Sequence, residues 1–186
     1  MGLEEKGNEG FKKILSIAEG SICMKNPDGK SERVITRKND AGDEIEETIR
    51  EDRFNAVTGM ITKVNLEKGK YGMNLELTIE DDGEEFIIQS LFKTQKVESI
   101  VKRMPNIDHT APLSIIAGKD SKDNKTFVYL KQHGETVPMK FTKDNRNGMP
   151  DWVTDEMGET DRSDYYKFLF EVAKEFAKRV NPAEEG

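Results

Sequence analysis

The chain has a single cysteine, Cys23, so it can form no internal disulfide and suits a reducing compartment. Its only histidines, His109 and His133, stand far apart in sequence. No Cys/His zinc pattern can be assembled from that inventory. Neither a phosphate-binding P-loop nor a nucleophile elbow occurs. Carboxylates are plentiful in DGEE, GDEIEE and DWVTDEMGETD, but their spacing converges no ligands, and 40–51 lacks the spacing of an EF-hand loop. The sequence therefore predicts no metal, no cofactor and no enzyme. No apolar run approaches the roughly 20 residues that span a bilayer. The opening MGLEEKGNEG is acidic and Gly-rich, unlike a signal peptide. Met1-Gly2 starts like a myristoylation site, but Lys6 stands where that pattern takes Ser or Thr. The expectation is a soluble cytoplasmic protein with no membrane partner.

What the chain has is charge. Of its 186 residues, 35% are charged and 34% hydrophobic, with a net charge of −7. That balance argues against a general DNA-coating basic protein, while leaving room for a local phosphate-binding patch. The charge is uneven: the net is −3 over 1–53, zero over 54–134 and −4 over 135–186. The pattern is a neutral centre between acidic flanks.

These three stretches also differ in periodicity. Residues 1–9 read as a disordered start. An apolar segment, a Gly break and a strand at 20–25 follow. NPDG at 26–29 is a strong turn, because Pro27 presets φ and Gly29 accepts a left-handed conformation. SERVITRK and IEETIRE alternate, so 20–51 predicts a three-stranded meander. RFNAVTGMITKVNLE is a longer strand in which Gly59 predicts a bulge or bend. In MNLELTIE, Met73, Leu75, Leu77 and Ile79 share one face; DDGEE turns and EFIIQSLF returns. The period then changes. Val97, Ile100, Val101 and Met104 make a helical face capped by Thr94 and ended by Pro105. Strands at 111–118 and 126–133 flank a polar loop. Residues 135–160 read as an extended acidic arm. A closing amphipathic helix carries Tyr166, Leu169, Phe170, Ala173, Phe176 and Val180 as its apolar stripe, with Asp161 or Ser163 as cap.

The order strand, strand, strand, helix, strand, strand over 54–134 is that of a small Greek-key barrel. The segments VTGMITKV, YGMNLELTIED, KVESIVKRM and KTFVYLKQH resemble those of bacteriophage OB-fold single-stranded-DNA-binding proteins. That resemblance implies a mainly β fold with some α. It consists of a five-stranded OB-type barrel at 54–134, an N-terminal β-meander extension over 1–53, and an acidic arm with the C-terminal helix over 135–186. It also implies a non-catalytic, sequence-tolerant DNA-binding protein acting in phage DNA replication or recombination in the host cytoplasm.

Such barrels bind oligonucleotides across strands two and three, between the loops joining strands one–two and four–five. The implied phosphate contacts in the first region are Lys63, Lys68, Lys70 and Lys93, with Tyr71 as a stacking face. In the second region they are Lys119, Lys122, Lys125 and Lys131, beside Phe127 and Tyr129. Alternation places Phe127, Tyr129 and Lys131 on one face of the last strand; those aromatics are either exposed with the lysine or part of the core. Glu76 on the binding face and Asp120 and Asp123 in the second loop oppose phosphate. Arg33, Arg37 and Lys38 either extend the cationic track or form a solvated strand face. The acidic C-terminal third is a candidate contact for replication or recombination proteins. The alternative function is an OB module that grips a polypeptide and has no nucleic-acid affinity.

Overall fold

The computed structural model describes residues 13–182, so the disordered start expected for 1–9 lies outside the described residues. Strands form where apolar residues alternate: β1 (Lys13–Ala18), β2 (Ser21–Lys25), β3 (Ser31–Lys38), β4 (Glu44–Phe54), β5 (Ala56–Gly69), β6 (Gly72–Asp81) and β7 (Glu84–Leu91). Helix α1 (Gln95–Val101) follows, then β8 (Leu113–Lys119), β9 (Thr126–Gln132) and the short β10 (Glu135–Thr136). A small hairpin of β11 (Val153–Thr154) and β12 (Thr160–Asp161) precedes helix α2 (Ser163–Val180). As expected, the Thr94 hydroxyl accepts a hydrogen bond from Val97 N at 3.5 Å and caps α1. At α2 no side chain caps from the N-cap position itself, but Asp161 Oδ1 accepts from Ser163 N at 2.8 Å.

Strands β1 to β10 join one mixed sheet in the order β10-β9-β8-β5-β6-β7-β1-β2-β4-β3. Every pairing is antiparallel except β1 with β7, where Lys13 to Leu15 run beside Phe86 to Ile88. Strands β5 to β9 and α1 follow the expected order, yet they do not close into a five-stranded barrel. Closure would set β7 against β9. Instead β1, which contributes buried Leu15 and Ile17, takes the free edge of β7 and brings β2, β4 and β3 with it. The sheet curls rather than closes, and the β1–β2 turn comes against β9, where Gly20 N donates to Thr126 Oγ1 at 2.9 Å.

The N-terminal extension is also not a simple meander, because β4 lies between β2 and β3. The NPDG turn explains this. Asn26 N donates to Arg50 O at 2.9 Å, and Asn26 Nδ2 donates to Asp52 Oδ2 at 2.7 Å. These bonds hook the turn onto β4, so β3 passes to the far side of it.

Strand β5 serves two neighbours. Ala56–Gly59 pair with β8, and from Met60 onward the strand pairs with β6, with a register shift between Ile61 and Lys63. Gly59 stands at the hand-over, and the irregularity follows it directly. A Cβ there would collide with the Glu80 carbonyl oxygen and approach Ile79 Cγ2 at 2.7 Å. The absence of a side chain is what lets the two stretches of backbone come this close.

One apolar cluster draws on all three stretches of the chain. Leu15, Ile17 and Ile22 meet Val64, Leu77, Ile79 and Ile88 of the central strands, and Val97, Ile100 and Met104 cover them from the α1 side. The arm after β9 is not free: Val137, Phe141 and Met149 are buried in the same cluster. Helix α2 adds Leu169, Ala173 and Phe176, as its stripe predicted, and also Tyr165, which that stripe omitted. Both Tyr165 and Tyr166 hydroxyls donate to the Glu98 carboxylate of α1, at 2.9 and 2.7 Å. The helix is therefore docked against the rest of the fold.

Its C-terminal cap finishes that docking. Asn181 Oδ1 accepts from Val64 N at 2.8 Å, and Asn181 Nδ2 donates to Val64 O at 2.9 Å. The side chain thus stands in for a neighbouring strand on an edge of β5 that β8 has already left. Replacing it by leucine orphans two backbone groups of a residue that is 1% exposed. Asn181→Leu should cost about 2 kcal/mol of unfolding free energy. Asn181→Asp keeps the acceptor but sets a carboxylate oxygen against the Val64 carbonyl, and should cost at least as much. Denaturant midpoints at constant m-value measure both; equal stability of Asn181→Leu and the unmodified chain would refute this role.

Candidate nucleic-acid interface

The period of two decides which side chains β9 shows to solvent. Val128 and Leu130 point into the core, while Phe127 is 44% exposed, Tyr129 half-buried and Lys131 exposed on the opposite face. Of the two aromatics Phe127 is therefore exposed and Tyr129 partly so, and neither belongs to the buried core. Their rings lie 6.1 Å apart between centroids at 27°, a stacked pair. Phe127 sits opposite Gly118 of β8, and its ring covers that residue so closely that a Cβ on Gly118 would strike it. On the same face Ser114 lies opposite Lys131, and its hydroxyl shares a 2.7 Å hydrogen bond with Thr58 of β5. The result is an aromatic platform with hydroxyls on one flank and a lysine at one end.

The β8–β9 turn supplies further cations. Lys119, Lys122 and Lys125 are all exposed. Asp120 Oδ1 accepts from Lys122 N at 2.7 Å, and Asp123 Oδ1 accepts from Lys125 N at 3.1 Å, so these carboxylates shape the turn. Asp123 also pairs with the Lys125 ammonium at 2.9 Å. Hydrogen bonding to Lys125 holds the Asp123 carboxyl below its ordinary range and raises the Lys125 ammonium in turn. Lys125 is therefore partly neutralised. Among the described residues Lys119, Lys122 and Lys131 have no ion-pair partner.

The β5–β6 turn forms a second place with different neighbours. Tyr71 is 58% exposed, but its hydroxyl accepts from Lys38 N at 3.2 Å. Lys70 Nζ donates to Lys38 O at 3.3 Å and lies 5.9 Å from the Tyr71 ring centroid. This pair grips the tip of the β3–β4 hairpin. Beside it runs a groove of about 760 Å³ lined by Tyr71, Met73, Leu91, Phe92, Tyr166 and Phe170. Lys93 borders the groove with its ammonium 5.5 Å from the Tyr166 ring centroid. Lys68 is exposed beside the turn, and Lys63 is exposed on β5 opposite Thr78.

The two basic turns are thus not neighbours: one meets the β1–β2 turn and the other the β3–β4 tip. The strand face over β6 and β7, where the resemblance placed the ligand, is acidic. Glu76 lies opposite Gln89 and accepts from its Nε2 at 2.6 Å, while Glu80 lies opposite Glu85. Three carboxylates there oppose phosphate, with Lys63 beside them opposite Thr78, whereas β9 and its turn gather Lys119, Lys122 and Lys131 without an ion-pair partner among the described residues. Sequence reasoning found the aromatics and lysines of this surface but missed Gly118, Ser114 and Thr58. The one available signal was the glycine in SIIAGKD, opposite an aromatic of the next strand.

Arg33 and Arg37 do not extend the track. Arg37 Nε pairs with Glu47 at 2.6 Å. Arg33 donates to Glu51 from Nε at 3.1 Å and Nη2 at 2.9 Å, and Arg53 Nε donates to the same carboxylate at 3.0 Å. Glu51 is 1% exposed and Cys23 is buried beside it. Burial first, and then the Glu51 carboxylate, push the Cys23 thiol up to about 11, so it stays protonated and unreactive at neutral pH. This cluster is structural. Among the described residues no three His, Cys, Asp or Glu side chains converge to hold a metal ion, and no helix is long and apolar enough to cross a membrane. Compared with known protein families, curated proteins and solved structures, the chain matches none.

Proposed function

We propose that this chain is a non-catalytic, sequence-tolerant binder of single-stranded DNA. On this reading β5–β9 with α1 are an OB-type core in which β1 has taken the closing edge. The single observation that carries the reading is the outward-facing Phe127–Tyr129 pair with Lys131 at its end and the turn lysines beside it. Aromatic faces accept unpaired bases of any identity, at about 1–3 kcal/mol per base, while lysines follow the phosphates. A duplex hides its base faces and cannot use the platform. Among the described residues no metal-holding cluster accompanies it. A role in phage replication or recombination is supported by the sequence resemblance alone.

Anisotropy titration of labelled oligo-dT, duplex DNA and RNA at two salt concentrations tests the proposal. Phe127→Ala and Tyr129→Ala should each weaken oligo-dT binding by about 1–3 kcal/mol with little change in salt dependence. Lys119→Ala, Lys122→Ala and Lys131→Ala together should flatten the salt slope by about 0.7 per lost phosphate contact. Tyr71→Phe removes only the hydroxyl that holds Lys38 and should bind normally. The oligonucleotide should be recovered intact in the presence of Mg²⁺. Absence of oligo-dT affinity at low salt would overturn the reading.

A protein-binding module would then lead, and one observation favours it. The β11–β12 hairpin exposes Trp152, Val153 and Met157, the last at 83%, among Asp151, Asp155, Glu156 and Glu159. Its base is anchored, with the Arg162 guanidinium 4.8 Å from the Trp152 ring centroid and Trp152 edge-on to Tyr165. Apolar side chains held out among acids suit a basic protein partner, such as a replication or recombination protein.

A further inference from the structure

Among the described residues strand β3 is the last strand of the sheet and pairs only with β4. The bonds near its tip establish which backbone groups face outward. Asn39 N donates to Asp43 O at 2.9 Å, so Asn39 and the residues at two-residue steps before it, Arg37, Ile35 and Arg33, turn their N–H and C=O groups toward β4. Lys38 has the opposite parity. Its N–H goes to Tyr71 and its carbonyl accepts from Lys70. The outward groups of Glu32, Val34 and Thr36 therefore face no other strand among the described residues. These three residues are exposed, Val34 at 60%. The β3–β4 register is unbroken and the strand holds no proline. An edge of this length, without a bulge or proline, is a template for another strand.

We propose that β3 pairs antiparallel with β3 of a second copy, Val34 opposite Val34, giving a two-fold dimer with one sheet running through both copies. The register follows from what is already occupied. With Val34 on the axis, Glu32 faces Thr36 and each outward-pointing residue meets one of the same three. A shift of two residues one way brings Lys38 into the ladder, and Tyr71 and Lys70 hold its backbone groups. A shift the other way needs Lys30, which precedes the strand. The charges agree with this register. Glu32 faces a threonine and has Lys38 of the second copy diagonally across, within reach of long side chains. On the other face Arg33 meets Ile35 and Arg37 meets Ser31, so within the strand no like charges stand directly opposite each other. The self-complementary pattern makes a second copy of this chain the occupant, rather than an unrelated peptide. Tyr71 and Lys70 then act as the stop that blunts one end of the edge and sets the pairing.

Sedimentation velocity over the micromolar range, with far-UV circular dichroism and melting temperature as controls, tests this without nucleic acid. The unmodified chain should pass from monomer to dimer as concentration rises. Val34→Lys sets two ammoniums opposite each other on the axis and should raise the dimer dissociation constant by about tenfold or more. Thr36→Pro removes an outward N–H that β4 does not use and should have the same effect, since proline is tolerated where an edge strand's N–H faces solvent. Both variants should melt as the monomer does. A chain that stays monomeric throughout, or a dimer that survives both changes, overturns the proposal.

Discussion

Glu51→Ala should destabilise the protein by about 3 kcal/mol, at the lower end of what removing one partner from a buried ion pair costs. The carboxylate is almost fully buried and takes hydrogen bonds from both Arg33 and Arg53. Its loss leaves two guanidiniums facing each other at a partly dehydrated spot. Their side chains keep 18% and 26% exposure, and that residual hydration is why the larger values are not expected. Glu51→Gln keeps the shape, loses the charge and should cost about half as much. Denaturant unfolding measures both; a loss below about 1 kcal/mol for Glu51→Ala would mean the arginines simply rehydrate.

Acid unfolding should show the same contact. Burial alone would raise the Glu51 carboxyl, but the Arg33 and Cys23 hydrogen bonds and the charges of Arg33 and Arg53 outweigh it and hold the carboxyl below its ordinary range. A lowered pKa in the folded state contributes stability that is complete above the ordinary carboxylate range. That contribution fades as pH falls through the folded value. Glu51→Gln should therefore lose less stability on acidification than the unmodified chain over that window.

Gly59→Val should destabilise the protein by about 3 kcal/mol and Gly59→Ala by about 2 kcal/mol. The obstacle is backbone, the Glu80 carbonyl, which cannot swing away as a side-chain tip could. Relief requires β5 to separate from β6 at the point where it leaves β8. Apparent melting temperatures should therefore fall in the order Gly, Ala, Val. A variant as stable as the unmodified chain would show that the two strands do not approach as closely as described.

The central strands were legible because their periodicity is clean. Met73, Leu75, Leu77 and Ile79 predicted β6, and the change of period at Val97 predicted α1 with its Thr94 cap. The same alternation set Phe127, Tyr129 and Lys131 on one face of β9. What alternation does not specify is the neighbour. That β1 pairs with β7, or that β4 separates β2 from β3, depends on contacts such as Asn26 with Asp52, between residues 26 apart in sequence. Val137, Phe141 and Met149 are buried from a segment without a repeat, so no period announced them. Tyr165 lay one position before the expected stripe and is buried one helical turn before Leu169, with its hydroxyl received by Glu98. Glu51 reads as one more acid in an acidic strand; only the convergence of two arginines on it makes it internal. Tyr71 was read for an exposed ring between lysines, and the structure gives its hydroxyl a second occupation, at the backbone of Lys38.

The parallel pairing of β1 with β7 bears on how the chain can be made. Lys13 leaves the ribosome long before its partner Phe86 exists, and Val64 waits still longer for Asn181, 117 residues later. Neither strand edge can be satisfied in order of synthesis. The sheet cannot grow by adding each new hairpin to the last, and its completion falls to a late, non-local step. Long-range closure of this kind slows folding and leaves apolar strand edges open in the meantime. During synthesis, the nascent segment around Leu15 and Ile17 is therefore the part most in need of a chaperone's cover.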